Sequence, residues 1–133
     1  MNKEQHKKLT FDDILARKMQ REKDKMKVMS IYIPSMDGEL IFNTLPEYKI
    51  LDIMDGIEVG GVVSSFEKSK ELIYESCKDL RSPELHKLLE VIDPIDTISA
   101  IFTIDEINSI GAELLKFNGI GTDENRIVAN IKN

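Results

Sequence analysis

Apolar residues recur every third or fourth position along most of this chain, and strict alternation is confined to one short stretch. The first helical stripe is Phe11, Ile14, Leu15 and Met19. Thr10 stands before it as a natural N-cap, and Asp12 and Asp13 occupy the first turn, where carboxylates favour the exposed N–H groups of a helix. This pattern predicts a helix from Thr10 to about Met26. Its second half, KMQREKDKMK, is nearly all charged, so only Met19 and Met26 extend the stripe, and that half is expected to project into solvent or to await a partner.

The alternating stretch follows. Val28 to Pro34 and Glu39 to Thr44 are β-prone runs on either side of Asp37-Gly38, a strong short-range signal for a β-hairpin. Pro34 has no N–H to donate, which places it at a strand end or on an edge.

From Pro46 the period returns to 3.6. Pro46-Glu47 opens a helix with Ile50, Ile53, Met54 and Ile57 on one side, closing near Gly56. Gly56 to Gly61, with three glycines, reads as a flexible connector. A second helix is expected from Ser64 or Ser65 through Cys77, with Phe66, Ser69, Ile73 and Cys77 on its inner side. Ser82-Pro83-Glu84 starts a third, with Leu85, Leu88, Leu89 and Ile92 as its buried stripe. Asp93-Pro94 ends it and begins a short apolar helix through Ile95, Ile98, Ile101 and Phe102. The last runs from Thr103 or Ile104 to Asn118, with Ile107, Ile110, Leu114 and Phe117 inward and Gly119 as terminator.

The expected fold is α+β, mostly α: an N-terminal helix and β-hairpin followed by a compact bundle of about five helices. Three regions are expected: a charged helical arm over 1–28, hairpin plus helical core over 29–118, and a mobile C-terminal tail over 119–133. At 133 residues the chain fits one domain with a real core.

Charge sharpens this division. The net charge is −6, but residues 1–30 hold nine Lys and Arg against five Asp and Glu, whereas the other 103 hold nine against nineteen. A basic arm therefore precedes an acidic body. Such a body repels phosphate backbones, so no nucleic-acid partner is expected. The longest apolar runs fall far short of the about 20 residues that span a bilayer, and no apolar signal core follows MNKEQHKK. The expectation is a cytoplasmic protein with no membrane association.

Candidate chemistry is sparse. His6 and His86 are far apart in sequence and Cys77 is the lone cysteine, so no metal site is expected. Cys77, one helical turn from Ile73, reads as a small core residue. The glycines at 56, 60, 61, 119 and 121 make no phosphate-binding loop, so no cofactor is expected. Asp12-Asp13 and Asp105-Glu106 read as first-turn acids serving the helix. With two histidines and one cysteine, no catalytic constellation can be assembled. What remains is an apolar surface for other proteins. Six methionines are present, and their soft, adaptable side chains suit variable partners. The candidate partner-binding residues are Met19, Met26, Met29, Tyr32 and Met36. Each single Met also has the simpler reading of a core filler.

Lys70 to Cys77, Leu80, Ser82-Pro83-Glu84-Leu85 and Asp93-Pro94-Ile95-Asp96-Thr97-Ile98, then Glu106-Ile107-Asn108 and Ala112 to Gly119, follow a charged helix and a Tyr32-Ile33-Pro34-Ser35 hairpin. In that order and spacing the chain resembles the XkdN-like tail assembly chaperones of phages, prophages and phage-tail-like bacteriocins in Gram-positive bacteria. The resemblance covers nearly the whole chain and contains no catalytic motif. Gly56–Gly61 and the last dozen residues depart from it. It implies a protein made in the host cytoplasm that binds the long helical tape measure protein, recruits major tail tube protein subunits, and is absent from the finished particle. The expected client surface is the arm with Met19 and Met26 plus the open edge of the hairpin, and self-association through that edge or the apolar faces of the body is a further expectation. The competing reading is a small cytosolic regulatory module, antitoxin-like or transcription-associated, that makes contact through its basic arm.

Overall fold

In the computed structural model, which describes residues 6–25, 27–55 and 57–120, the first element is α1, Phe11–Asp24. Thr10 caps it. Its Oγ1 accepts the Asp13 N–H at 3.2 Å while the Asp13 carboxylate accepts the Thr10 N–H at 2.8 Å, satisfying two donors that the helix start would leave without partners. Lys7 Nζ lies 2.8 Å from the same carboxylate, and Lys7 first and then Thr10 hold Asp13 below its usual pKa. Yet α1 buries none of its residues. Met26 lies outside the described residues, as does the chain after Ile120.

The hairpin forms as its alternation predicts. Strands β1 (Val28–Ile33) and β2 (Gly38–Asn43) are antiparallel, with Met29 opposite Phe42 and Ile31 opposite Leu40. These pairs and Ile33 face the core, and Val28, Ser30, Tyr32, Glu39, Ile41 and Asn43 face outward. Pro34–Met36 make one 3₁₀ turn at the end of β1. Asp37 takes the left-handed conformation, φ 48°, which short polar side chains tolerate.

Five helices follow: α2 (Glu47–Met54), α3 (Ile57–Ser76), α4 (Pro83–Leu88), α5 (Asp96–Ile101) and α6 (Ile104–Phe117). A 3₁₀ turn over Lys78–Arg81 joins α3 to α4. The expected order of an N-terminal helix, a hairpin and five further helices is what the chain adopts. The core lies where α3 crosses α6, with Leu72, Ile73 and Cys77 against Ile107, Ile110 and Leu114, closed by Phe42, Ile98 and Phe102. Gly111 allows the close crossing, because a Cβ there would meet the side chain of Ser69.

The end of α6 is tied down twice. Gly119, φ 80°, donates to Lys116 O, and Ile120 donates to Leu115 O at 2.8 Å, the paired bonds of a Schellman cap. Asn118 Oδ1 accepts the Leu45 N–H at 3.0 Å, fixing the β2–α2 link against the helix. Gly119 and Ile120 thus belong to the helix end, and the part of the expected tail after them is outside the described residues.

Two expectations are corrected. Residues 57–61 are not a connector but the first turns of α3, which is 20 residues long. Glycine disfavours a helix interior by only about 1 kcal/mol relative to alanine, and a helix already nucleated downstream tolerates that. Second, the stripe proposed for α4 stops short, for Leu88 is 75% exposed and Ile92 fully exposed. Glu90 turns left-handed at φ 59°, and Val91 N–H bonds back to His86 O at 3.2 Å. A Schellman cap built on Glu instead of Gly ends the helix and swings Ile92 out.

Candidate partner-binding surface

Among the described residues, the arm presents a run of exposed apolar side chains. Phe11, Ile14, Leu15 and Met19 are 91%, 56%, 55% and 56% exposed, and their i, i+3, i+4, i+8 spacing puts them on one side of α1. Its recorded tethers to the body lie at its C-terminal end: Arg21 to Glu47 at 3.5 Å and Thr44 Oγ1 donating to Lys25 O at 2.6 Å. Keeping such a stripe in water forgoes about 25 cal/mol for each Å² of apolar surface left unburied. Contiguous apolar patches of this kind mark contact sites.

The hairpin adds a second surface. Val28, Tyr32 and Ile41 are exposed on its outer face, and Met36 is exposed in the turn. Tyr32 Oη donates to Asp37 Oδ1 at 2.9 Å, which holds the ring over the turn and raises the phenol pKa. Among the described residues β1 pairs only with β2, so its other edge carries backbone groups available to an added strand.

Between β1 and α6 lies a cleft of about 500 Å³. Ile31, Ile33, Pro34 and Ile110 give it apolar walls, and Asp105, Glu106 and Glu113 rim it with carboxylates. Ser35 Oγ donates to Glu106, whose other oxygen accepts the Thr103 N–H at 2.9 Å. Ser35 first and Thr103 next keep the Glu106 carboxyl below its usual range. By sequence alone Asp105-Glu106 are first-turn acids serving the helix. Their place on a cleft follows from β1 lying alongside α6, which no local pattern encodes.

The described candidate residues fall on α1 and the hairpin. Met19 is on α1, while Tyr32 and Met36 lie at the turn end of the hairpin. Met29 faces inward and packs on the core. Cys77 is fully buried and burial pushes its thiol pKa up. His86 bonds through Nε2 to Leu80 O at 2.8 Å and stacks on Tyr74. Among the described residues no cluster of His, Cys, Asp and Glu is placed to hold a metal ion, and no helix is long and apolar enough to cross a membrane. Compared with known proteins, the chain matches no family model, no curated protein and no solved structure.

Proposed function

We propose that this chain is a tail assembly chaperone that binds the tape measure protein of a phage-type tail in the host cytoplasm, hands it to tail tube subunits and leaves before the particle is complete. The observation that carries this reading is α1, a capped amphipathic helix whose Phe11, Ile14, Leu15 and Met19 are all exposed. A tape measure protein is a long helix with apolar stripes that need cover before the tube encloses them. Laying the α1 stripe along such a helix removes apolar surface from water on both sides, the usual helix-to-helix mode of recognition. The β1 edge and the outward Tyr32 offer a second contact of a different kind, to extended segments.

The arm is short, and that suits its task. Four apolar side chains on one helix make a contact modest enough for arriving tube subunits to displace, while the acidic body keeps the loaded complex dispersed. The test is co-purification of the full chain with the tape measure protein of a phage-type tail. Ile14→Asp combined with Leu15→Asp is expected to lower recovery of the client at least about tenfold, a loss of about 1.4 kcal/mol. Equal recovery with the doubly substituted chain would reject the reading.

A further inference from the structure

The hydrogen-bonding phase of the hairpin is fixed at its open end. Thr44 N–H donates to Lys27 O at 3.1 Å, one step beyond the Val28–Asn43 pair. In an antiparallel ladder, pairs that exchange bonds alternate with pairs that do not. Met29, Ile31 and Ile33 therefore bond to β2, whereas Val28, Ser30 and Tyr32 turn their N–H and C=O groups away from it. Among the described residues those groups have no backbone partner in another element, and all three residues are exposed. Natural edge strands are commonly guarded by a charge, a proline or a bulge. β1, VMSIYI, carries neither charge nor proline.

A stripe of α6 runs beside this margin. The cleft is lined by β1 and its turn on one side and by α6 on the other, with no residue of β2, so it borders β1 on the side away from β2. Ile33 and Ile110 are buried and only close its floor. Asp105, Ser109 and Glu113 stand above it on successive turns of α6, all exposed. Glu106 is engaged by Ser35 and Thr103. Asp105 takes part in no ion pair among the described residues. Glu113 has Lys116 at 3.8 Å, with both side chains more than half exposed, a pair that contributes little and exchanges readily. No Lys or Arg lines the cleft.

The two elements are also in step. Ser35 bonds to Glu106 near one end of α6, and Leu45, just after β2, bonds to Asn118 at the other, so β1 lies along the helix. Asp105 and Glu113 are about 12 Å apart along the helix axis. Residues i and i+4 of a strand are about 13 Å apart and point to the same face.

We propose that the β1 margin and the α6 stripe together take an extended segment as a third strand, one with Lys or Arg at positions i and i+4 and a small or polar residue at i+2. Its cations meet Asp105 and Glu113, its middle residue lies by Ser109, and its backbone continues the ladder on Val28, Ser30 and Tyr32. The side chains at i+1 and i+3 emerge on the outer face beside Val28 and Tyr32, where β-branched residues pack well across strands. This third strand is a more specific form of the second contact that the proposed function gives to β1. It rests on that reading for the natural source of the segment, and on Asp105, Glu113 and the β1 margin for its chemistry.

The probe is the synthetic peptide Thr-Lys-Val-Ser-Val-Lys-Thr, titrated into the full chain and followed by amide exchange. The expected result is saturable binding that slows exchange at Val28, Ser30 and Tyr32, the amides that face the new strand. A peptide with Glu in place of both Lys does not bind. Asp105→Asn with Glu113→Gln weakens binding of the Lys peptide at least about tenfold, and Asp105→Lys with Glu113→Lys transfers the preference to the Glu peptide. Both positions are exposed, so unchanged circular dichroism shows that the fold is retained. N-methylation of the peptide at alternate residues blocks binding in one phase and spares it in the other, because only every second amide faces β1. Absence of binding up to millimolar peptide overturns the proposal, as does binding that leaves exchange at Ser30 and Tyr32 unchanged or that ignores the loss of both carboxylates. Ile14→Asp with Leu15→Asp leaves peptide binding as it was, so failure of the α1 contact with the client and failure of this strand contact are read separately.

Discussion

Gly111 lies so close to Ser69 that a Cβ on the glycine would stand 2.6 Å from the serine Oγ and 2.8 Å from its Cβ. Both distances are too short to exist, so α3 and α6 would have to separate at the middle of the core. Gly111→Ala is therefore expected to destabilise the protein by on the order of 1 kcal/mol net, as overpacking outweighs the better helix propensity of alanine. Urea unfolding checks it. Ser69→Gly in the same chain removes both clashing atoms but adds a glycine inside α3, so it is expected to recover part of the loss, whereas Ser69→Ala keeps the Cβ and recovers little.

Thr10 and Thr103 head two helices with the same reciprocal cap, yet their removal is expected to have different consequences. At Thr103 the cap holds α6, whose Ile107, Ile110 and Leu114 are core residues. Thr103→Ala should cost about 1 kcal/mol of global stability. Thr10→Ala removes equal chemistry from α1, which buries nothing. Amide exchange over residues 11–24 should quicken while the global unfolding midpoint stays where it was, because opening a helix outside the core is a local event.

Acid should loosen the top of α6 through Glu106. Its folded pKa lies below the ordinary 4.5 because of Ser35 and then Thr103, so its stabilisation is present above that value and is lost as pH falls through the depressed one. Glu106→Gln keeps an oxygen for the Thr103 N–H but carries no charge. Chemical denaturation repeated at falling pH should show a shallower acid-side loss for the glutamine variant than for the wild type. Identical slopes would mean that the Ser35 bond contributes nothing.

Much of the architecture was legible because local and tertiary signals agree. The alternation of Met29, Ile31, Ile33 with Leu40 and Phe42 assigns the inner face of the hairpin, and Thr103, Ile107, Ile110, Leu114 and Gly119 delimit α6 from cap to cap. The misreadings arise where a residue acts against its habit. Gly60 and Gly61 lie inside a helix instead of breaking one, and Glu90 takes the left-handed place that glycine usually marks. For the candidate surface, periodicity revealed the stripe on α1 but not that it stays outside the core, since a stripe looks the same whether or not something covers it. The Asp105, Glu106 and Glu113 rim was illegible for another reason: it exists only once β1 is laid against α6.

The proposed role requires the exposed α1 stripe to shield an aggregation-prone helix. Soluble yield of the tape measure protein, expressed alone, with this chain, and with the chain carrying Ile14→Asp and Leu15→Asp, measures that directly. The expected result is a soluble client with the wild-type chain and a pelleted client in the other two cases. A client equally soluble in all three, or rescued as well by the substituted chain, would contradict it.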